Sequence, residues 1–230
     1  SQIGNCQLEI YPMKPGPGMF ISRYLEKKGN GINHIAFNTS DIETDTKYFL
    51  DRGCDLVFNV TTNGATVENY IDTRKHGDLM ISLRPPADDW EKSWRKNNES
   101  HPLVNKWKFL GVGICVNNLE SASIYYDHLG FKQLKEKNIR SEWQVACQEF
   151  SLCNIIFELM EAGEESIYSE FFKKRGDGVA EIIFQVEDLK LEIEQLTSKG
   201  VRILQISDDN KTISIDSCFK GNVLTRLIEK

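Results

Sequence analysis

The chain has no apolar run of about 18 residues, so no segment reads as a membrane-spanning helix. It has no C-x-x-C pair among its six cysteines, and its opening residues do not read as a signal peptide. We therefore expect free thiols, a real apolar core instead of a disulfide scaffold, and a cytoplasmic location. It has no basic stripe. Lys and Arg number 28 against 34 Asp and Glu, and a net charge of −6 argues against a nucleic-acid partner. It also lacks a Walker loop, a dinucleotide fingerprint and a Ser-His-Asp ordering with an elbow. Gly29-Asn30-Gly31 precedes an apolar strand, not a helix, so it is a turn and not a phosphate cradle. Only four histidines are present. His76 and His101 fall in turns. His128 ends a helix, where the macrodipole favours it.

What is present is a segment that occurs twice. Residues 24–38 read YLEKKGNGINHIAFN and residues 171–185 read FFKKRGDGVAEIIFQ. Each is a basic helix end, a Gly-x-Gly turn and an apolar strand. Gly31 matches Gly178 and Gly53 matches Gly200, an offset of about 147 residues that suits duplicated domains better than a solenoid. The copies differ at one polar strand position, His34 in the first and Glu181 in the second.

The local grammar is β-α-β-β-β. A strand at 32–38 leads through Thr39-Ser40-Asp41, an N-cap cluster, into a helix that Gly53 ends. Strands follow at 55–61, 66–72 and 79–83. The pattern returns at 109–116, with strands near 131–136, 143–150 and 154–161. It returns again at 179–186, with strands near 202–206, 212–216 and 223–228. Residues 5–12 match only the last strand of a module, so an opening strand, a helix and two strands are expected ahead of them. The polar stretch Pro85–Lys106 lacks strand periodicity and reads as a linker, with Trp90 and Trp94 docked on a domain surface. We expect an N-terminal domain at 1–86, a linker at 87–106 and a C-terminal domain of two modules at 107–230.

These modules resemble the vicinal oxygen chelate superfamily, which includes glyoxalase I, extradiol dioxygenases, methylmalonyl-CoA epimerase and bleomycin-resistance proteins. GNGINHIAFNTSDIETDTKYFLDRG is similar to the second-module opening of the epimerase and glyoxalase branch, and GVGICVNNLESASIYYDHLGFK to a first-module opening. The resemblance implies an α+β fold of tandem βαβββ modules forming cupped mixed sheets, here with the first module truncated. It also implies a divalent metal held by the first and last strands of paired modules, acting as a Lewis acid on an enolate. At the family's ligand positions the N-terminal domain has Glu9 and His34, and Ser82 where a carboxylate belongs. The C-terminal domain has Gly111, Glu158, Glu181 and Arg226. Two carboxylates forced together repel, and a guanidinium between them relieves that. We therefore expect one divalent ion in the N-terminal domain and none in the C-terminal one, where Arg226 pairs with Glu158 and Glu181. The implied function is a metal-dependent epimerase, isomerase or lyase acting on a small carboxylate or acyl thioester. The alternative is a metal-free, resistance-type binding protein. The implied partners are a small-molecule ligand or substrate and a second copy of the chain that completes the first module, with no nucleic acid and no membrane.

Overall fold

A computed structural model describes residues 2–3, 6–7, 20–86, 96, 106–216 and 223–230. Glu9, Trp90 and Trp94, and the proposed linker apart from Lys96 and Lys106, lie outside the described residues.

The N-terminal part opens with a short hairpin, β1 (Gln2–Ile3) and β2 (Cys6–Gln7), followed by α1 (Phe20–Lys28). Then come β3 (His34–Asn38), α2 (Ile42–Leu50), β4 (Asp55–Thr62), β5 (Ala65–Asp72) and β6 (Met80–Arg84). The next module holds β7 (Lys108–Cys115), α3 (Leu119–His128), β8 (Lys132–Gln133), β9 (Asn138–Arg140), β10 (Val145–Leu152) and β11 (Ile155–Ala162). After α4 (Ser169–Arg175) the last module runs through β12 (Gly178–Val186), α5 (Leu189–Ser198), β13 (Ile203–Ile206), β14 (Thr212–Ile215) and β15 (Leu224–Glu229).

The three modules start and stop their helices by the same chemistry. Asp41, Asn118 and Asp188 each accept a hydrogen bond from the backbone N–H three residues on, and so satisfy an orphan donor of the first turn. Gly53, Gly130 and Gly200 take the left-handed conformation just after the helices. In each module the opening strand lies parallel to the last one: β3 to β6, β7 to β11 and β12 to β15. A four-stranded sheet runs β3-β6-β5-β4. A nine-stranded sheet runs β13-β14-β15-β12-β7-β11-β10-β8, with β9 on β10. Its middle is the antiparallel pair β7–β12, where two modules join through their opening strands.

The β1–β2 hairpin pairs Ile3 with Cys6 and Gln2 with Gln7. That register matches the tip of β10–β11, where Leu152 pairs with Ile155 and Ser151 with Ile156. Two expectations shift. The strand expected at 131–136 shrinks to β8, and Leu134 continues only through its N–H to the Glu149 carbonyl. Trp143 leaves the strand expected at 143–150 and closes a 3-10 turn, Ser141–Trp143, with Gln144 left-handed beside it.

One core runs beneath both sheets. Phe37, Ile71 and Ile81 of the smaller sheet join Ile114 and Phe157 of the larger and Tyr126 of α3, and the Phe37 and Phe157 rings stack at 6.4 Å. Charge closes the seam above it. Lys28 Nζ donates to the carbonyls of Arg175 (2.8 Å) and Asp177 (3.0 Å) and pairs with Asp78 at 3.0 Å. Arg175 donates back to the Asn30 carbonyl. Lys28 and Arg175 are equivalent residues of the repeat, so each copy's basic helix end binds backbone at or just beyond the other's helix end. Asp177 accepts from the N–H of Gly77 (3.1 Å) and of Asn117 (2.9 Å). Asp177→Ala orphans both donors, so a loss of about 1–3 kcal/mol is expected as a lower urea midpoint. An unchanged midpoint would show that the seam contributes nothing to stability.

Candidate functional site

On a β-strand, alternate side chains share a face, and directly paired residues face the same way. Gly113 pairs with Glu158 on one side and with Glu181 on the other. Ile183, two residues beyond Glu181, pairs with Arg226. Glu158, Glu181 and Arg226 therefore rise from one face of the larger sheet. Arg226 Nη1 and Nη2 donate to the two oxygens of Glu158 at 3.1 and 2.9 Å, a bidentate pair. Nη2 also lies 2.9 Å from Glu181 Oε1, off the donor axis, so that contact is coulombic and not a hydrogen bond. All three residues are at most 1% exposed.

Other residues complete the cluster, and the strand pattern did not disclose them. Arg140 Nη2 donates to Glu158 Oε2 at 2.6 Å and approaches Glu149, which also pairs with Lys135 at 2.8 Å. Tyr168 donates its hydroxyl to Glu181 Oε2 at 2.6 Å. The Trp143 ring covers the cluster, 5.3 Å from the Arg226 guanidinium carbon and 5.5 Å from that of Arg140. Arg140 sits on a three-residue strand, Trp143 in a single turn and Tyr168 just before a helix, places with no periodicity to read. A signal did exist at Gly113. A glycine inside a strand marks a close approach, and a Cβ there would sit 2.5 Å from the Glu181 side chain.

Burial pushes both carboxyls upward, Glu158 to about 7 and Glu181 to about 8, the latter also raised by the charge of Glu158. Two guanidinium groups face Glu158 and oppose the shift there. Beside Glu181 the Tyr168 hydroxyl and the charge of Arg140 oppose the shift. Burial likewise lifts the Cys147 thiol to about 12 and raises Cys115 and the Tyr168 phenol well above their usual ranges.

These positions do not fit a divalent cation. The space between the carboxylates holds a fixed positive charge at 2.9 Å from each. An imidazole at the Gly111 position is blocked too, because a Cβ there would lie 2.0 Å from the Ile156 carbonyl oxygen.

The equivalent face of the smaller sheet carries His34, Ser82, Tyr70 and Glu68. His34 pairs with Met80 and Ala36 with Ser82 along β3–β6, while Tyr70 faces Ser82 from β5. The His34 ring meets the Tyr70 ring edge-on at 5.0 Å. Ser82, fully buried, donates its hydroxyl to Glu68 Oε1 at 2.8 Å. A carboxylate thus reaches the Ser82 position from the neighbouring strand, which the sequence reading of β6 alone overlooked. His34 and Glu68 are ligand types that suit a hard or borderline cation. Among the described residues no group of three or more such side chains converges, and Glu9 lies outside them.

Residues 108–220 match the model of the Glyoxalase/Bleomycin resistance protein/Dioxygenase superfamily. No curated protein matches the chain. Among solved structures it is similar to methylmalonyl-CoA epimerase from Mycobacterium tuberculosis, at 28% identity over 53% of this chain and 86% of that one, with a TM-score of 0.46. It is similar to a mutant 4-hydroxymandelate synthase from Streptomyces coelicolor, at 15% identity over 93% of this chain and 75% of that one, with a TM-score of 0.68. A methylmalonyl-CoA epimerase in complex with methylmalonyl-CoA and NH4+ aligns at 20% identity over 55% and 96% of the two chains, with a TM-score of 0.48. The chain has the α+β fold of tandem βαβββ modules, and its C-terminal modules, residues 108–220, belong to the glyoxalase/bleomycin resistance/dioxygenase, or vicinal oxygen chelate, superfamily.

Proposed function

We propose that this chain is a small-molecule-binding member of its superfamily in which Arg226 stands where the C-terminal metal would be. The observation that carries the reading is the Arg226 guanidinium, buried within 2.9 Å of both Glu158 and Glu181. A metal and a guanidinium can each neutralise two carboxylates, but only the metal leaves an open coordination position for substrate oxygens. With the guanidinium in place the cup can recognise a ligand by shape and hydrogen bonding, without Lewis-acid chemistry. The free thiols of Cys54, Cys115, Cys147 and Cys153 suit the cytoplasmic setting we infer.

A second reading applies to the N-terminal cup, and Glu68 favours it. There the chain would act as a metal-dependent epimerase, isomerase or lyase on a small carboxylate or acyl thioester. His34 and Glu68, joined by Glu9, would hold the ion, which when bound would supply Lewis acidity to an enolate oxygen. Tyr70 fixes the plane of the His34 ring, and Ser82 holds Glu68 in place.

Three measurements test these readings. Both raised carboxyls bind a proton in the folded state well above the ordinary value of 4.5. Their stabilising contribution is full below that value and is lost as pH rises through about 7 and 8. The melting temperature should therefore fall from about pH 4.5 to about pH 8, and Glu181→Gln should flatten the fall. A melting temperature that rises over that range contradicts the raised carboxyls.

Arg226→Glu should cost about 3–5 kcal/mol by leaving buried carboxylates unpaired. Mn2+ or Zn2+ should then restore part of that loss, with a metal-dependent gain larger than in the wild type. No extra gain would remove Arg226 from the metal's place. For the N-terminal cup, isothermal titration of Mn2+ into the wild type should give a binding isotherm that His34→Ala and Glu68→Gln both abolish. A flat wild-type trace eliminates the second reading.

A further inference from the structure

The concave face of the larger sheet opens through a cleft of about 290 Å3 between the Trp143 turn and the β13–β14 hairpin. Its walls differ in charge from floor to rim. Arg226 and Trp143 form the buried floor, with Arg140 half-buried beside them and Thr212 on the adjoining strand. The rim carries exposed Asp208 and Asp209 and half-buried Glu142. Asp209 is held below the usual carboxylate range by hydrogen bonds from the Ser207 hydroxyl and the Lys211 N–H, so its charge is fixed.

The floor also holds polar atoms without partners. Trp143 Nε1, Arg226 Nε and Ser214 Oγ are buried and make no hydrogen bond among the described residues. Ser214 pairs with Arg226 across β14–β15, so its hydroxyl shares that face. A buried donor left unmatched costs about 1–3 kcal/mol, and two N–H groups together ask for an acceptor. Apart from Glu181, whose carboxyl is raised by burial, the cluster sets the three cationic groups of Arg140, Arg226 and Lys135 against the two carboxylates of Glu149 and Glu158. A simple anion suits that floor but is repelled at the rim. A simple cation suits the rim but not the floor.

We infer that this cleft binds a small zwitterion, whose carboxylate accepts from Trp143 Nε1 and Arg226 Nε and whose ammonium group pairs with Asp208 and Asp209. The inference rests on the reading of this cup as a metal-free ligand site. Both N–H groups lie beneath the cleft wall, so contact requires a small turn of the indole, and the Trp143 indole resonance reports it.

The test uses the 15N-labelled full chain, with the Trp143 indole N–H cross-peak assigned by its loss in Trp143→Phe. Glycine, 4-aminobutyrate, 6-aminohexanoate, butyrate and butylamine are titrated at constant ionic strength. At least one amino acid should move the peak with an affinity about tenfold or more above those of butyrate and butylamine. Asp208→Asn combined with Asp209→Asn, at exposed positions that leave the fold intact, should erase that advantage. Equal binding of butyrate, an advantage that survives the double substitution, or no shift with any probe overturns the inference. Mn2+ added to the same sample separates the two claims. Broadening of the Trp143 peak defeats the metal-free reading itself, whereas its absence without amino-acid binding defeats only the zwitterion.

Discussion

A guanidinium almost wholly removed from water is tolerable only if its neighbours replace the hydration it has lost. Arg226 meets that condition through Glu158, which it grips with two parallel hydrogen bonds, and through the charge of Glu181 beside it. Much of the larger sheet follows from that requirement. The carboxylates must share a face with the arginine, which fixes the register of β11 on β7, β7 on β12 and β12 on β15. A slip of one residue in any pair would turn a charge into the apolar layer on the opposite face. The cluster therefore specifies alignment as well as closing the cup.

The same constraint explains the aromatic cover. Charges in a low-dielectric setting attract strongly only while water is kept out. Trp143 provides the shield, and its ring face also favours the two guanidinium groups near it. Tyr168, its ring 6.5 Å from that of Trp143, adds to the cover and donates to Glu181. Gly113 is small because the Glu181 side chain lies where a Cβ would be.

The module boundaries, the helix caps and the Gly turns were legible in the sequence because each depends on residues close together in the chain. Asp41, Asn118 and Asp188 act three residues away, and Gly53, Gly130 and Gly200 act on their own backbone. Placing Glu158, Glu181 and Arg226 on one face needed only strand alternation and the module order. Arg140, Trp143 and Tyr168 were not legible, because they reach the cluster from a short strand, a turn and a helix start whose paths no period encodes. Glu68 was missed for another reason. The resemblance assigns ligands to first and last strands, and this carboxylate arrives from the strand between. The seam was half visible. The sequence shows a basic helix end in each copy, but not that Lys28 binds carbonyls at and beyond the end of α4 rather than those of its own helix.

The two sheets thus arrange charge differently on their equivalent faces. A pair of inward carboxylates needs a positive charge between them, and a fixed side chain and an exchangeable ion are both solutions. In the C-terminal cup a fixed guanidinium occupies the space between Glu158 and Glu181. In the N-terminal cup the last strand offers neither charge, only Ser82. A neutral residue there does not fill an ion's place, and the Glu68 carboxylate that it anchors adds negative charge on the face that carries His34. Loss of a ligand in one cup and gain of a guanidinium in the other are therefore not equivalent steps. The first leaves a carboxylate within reach from a neighbouring strand, and the second fills the space between two carboxylates with a fixed charge.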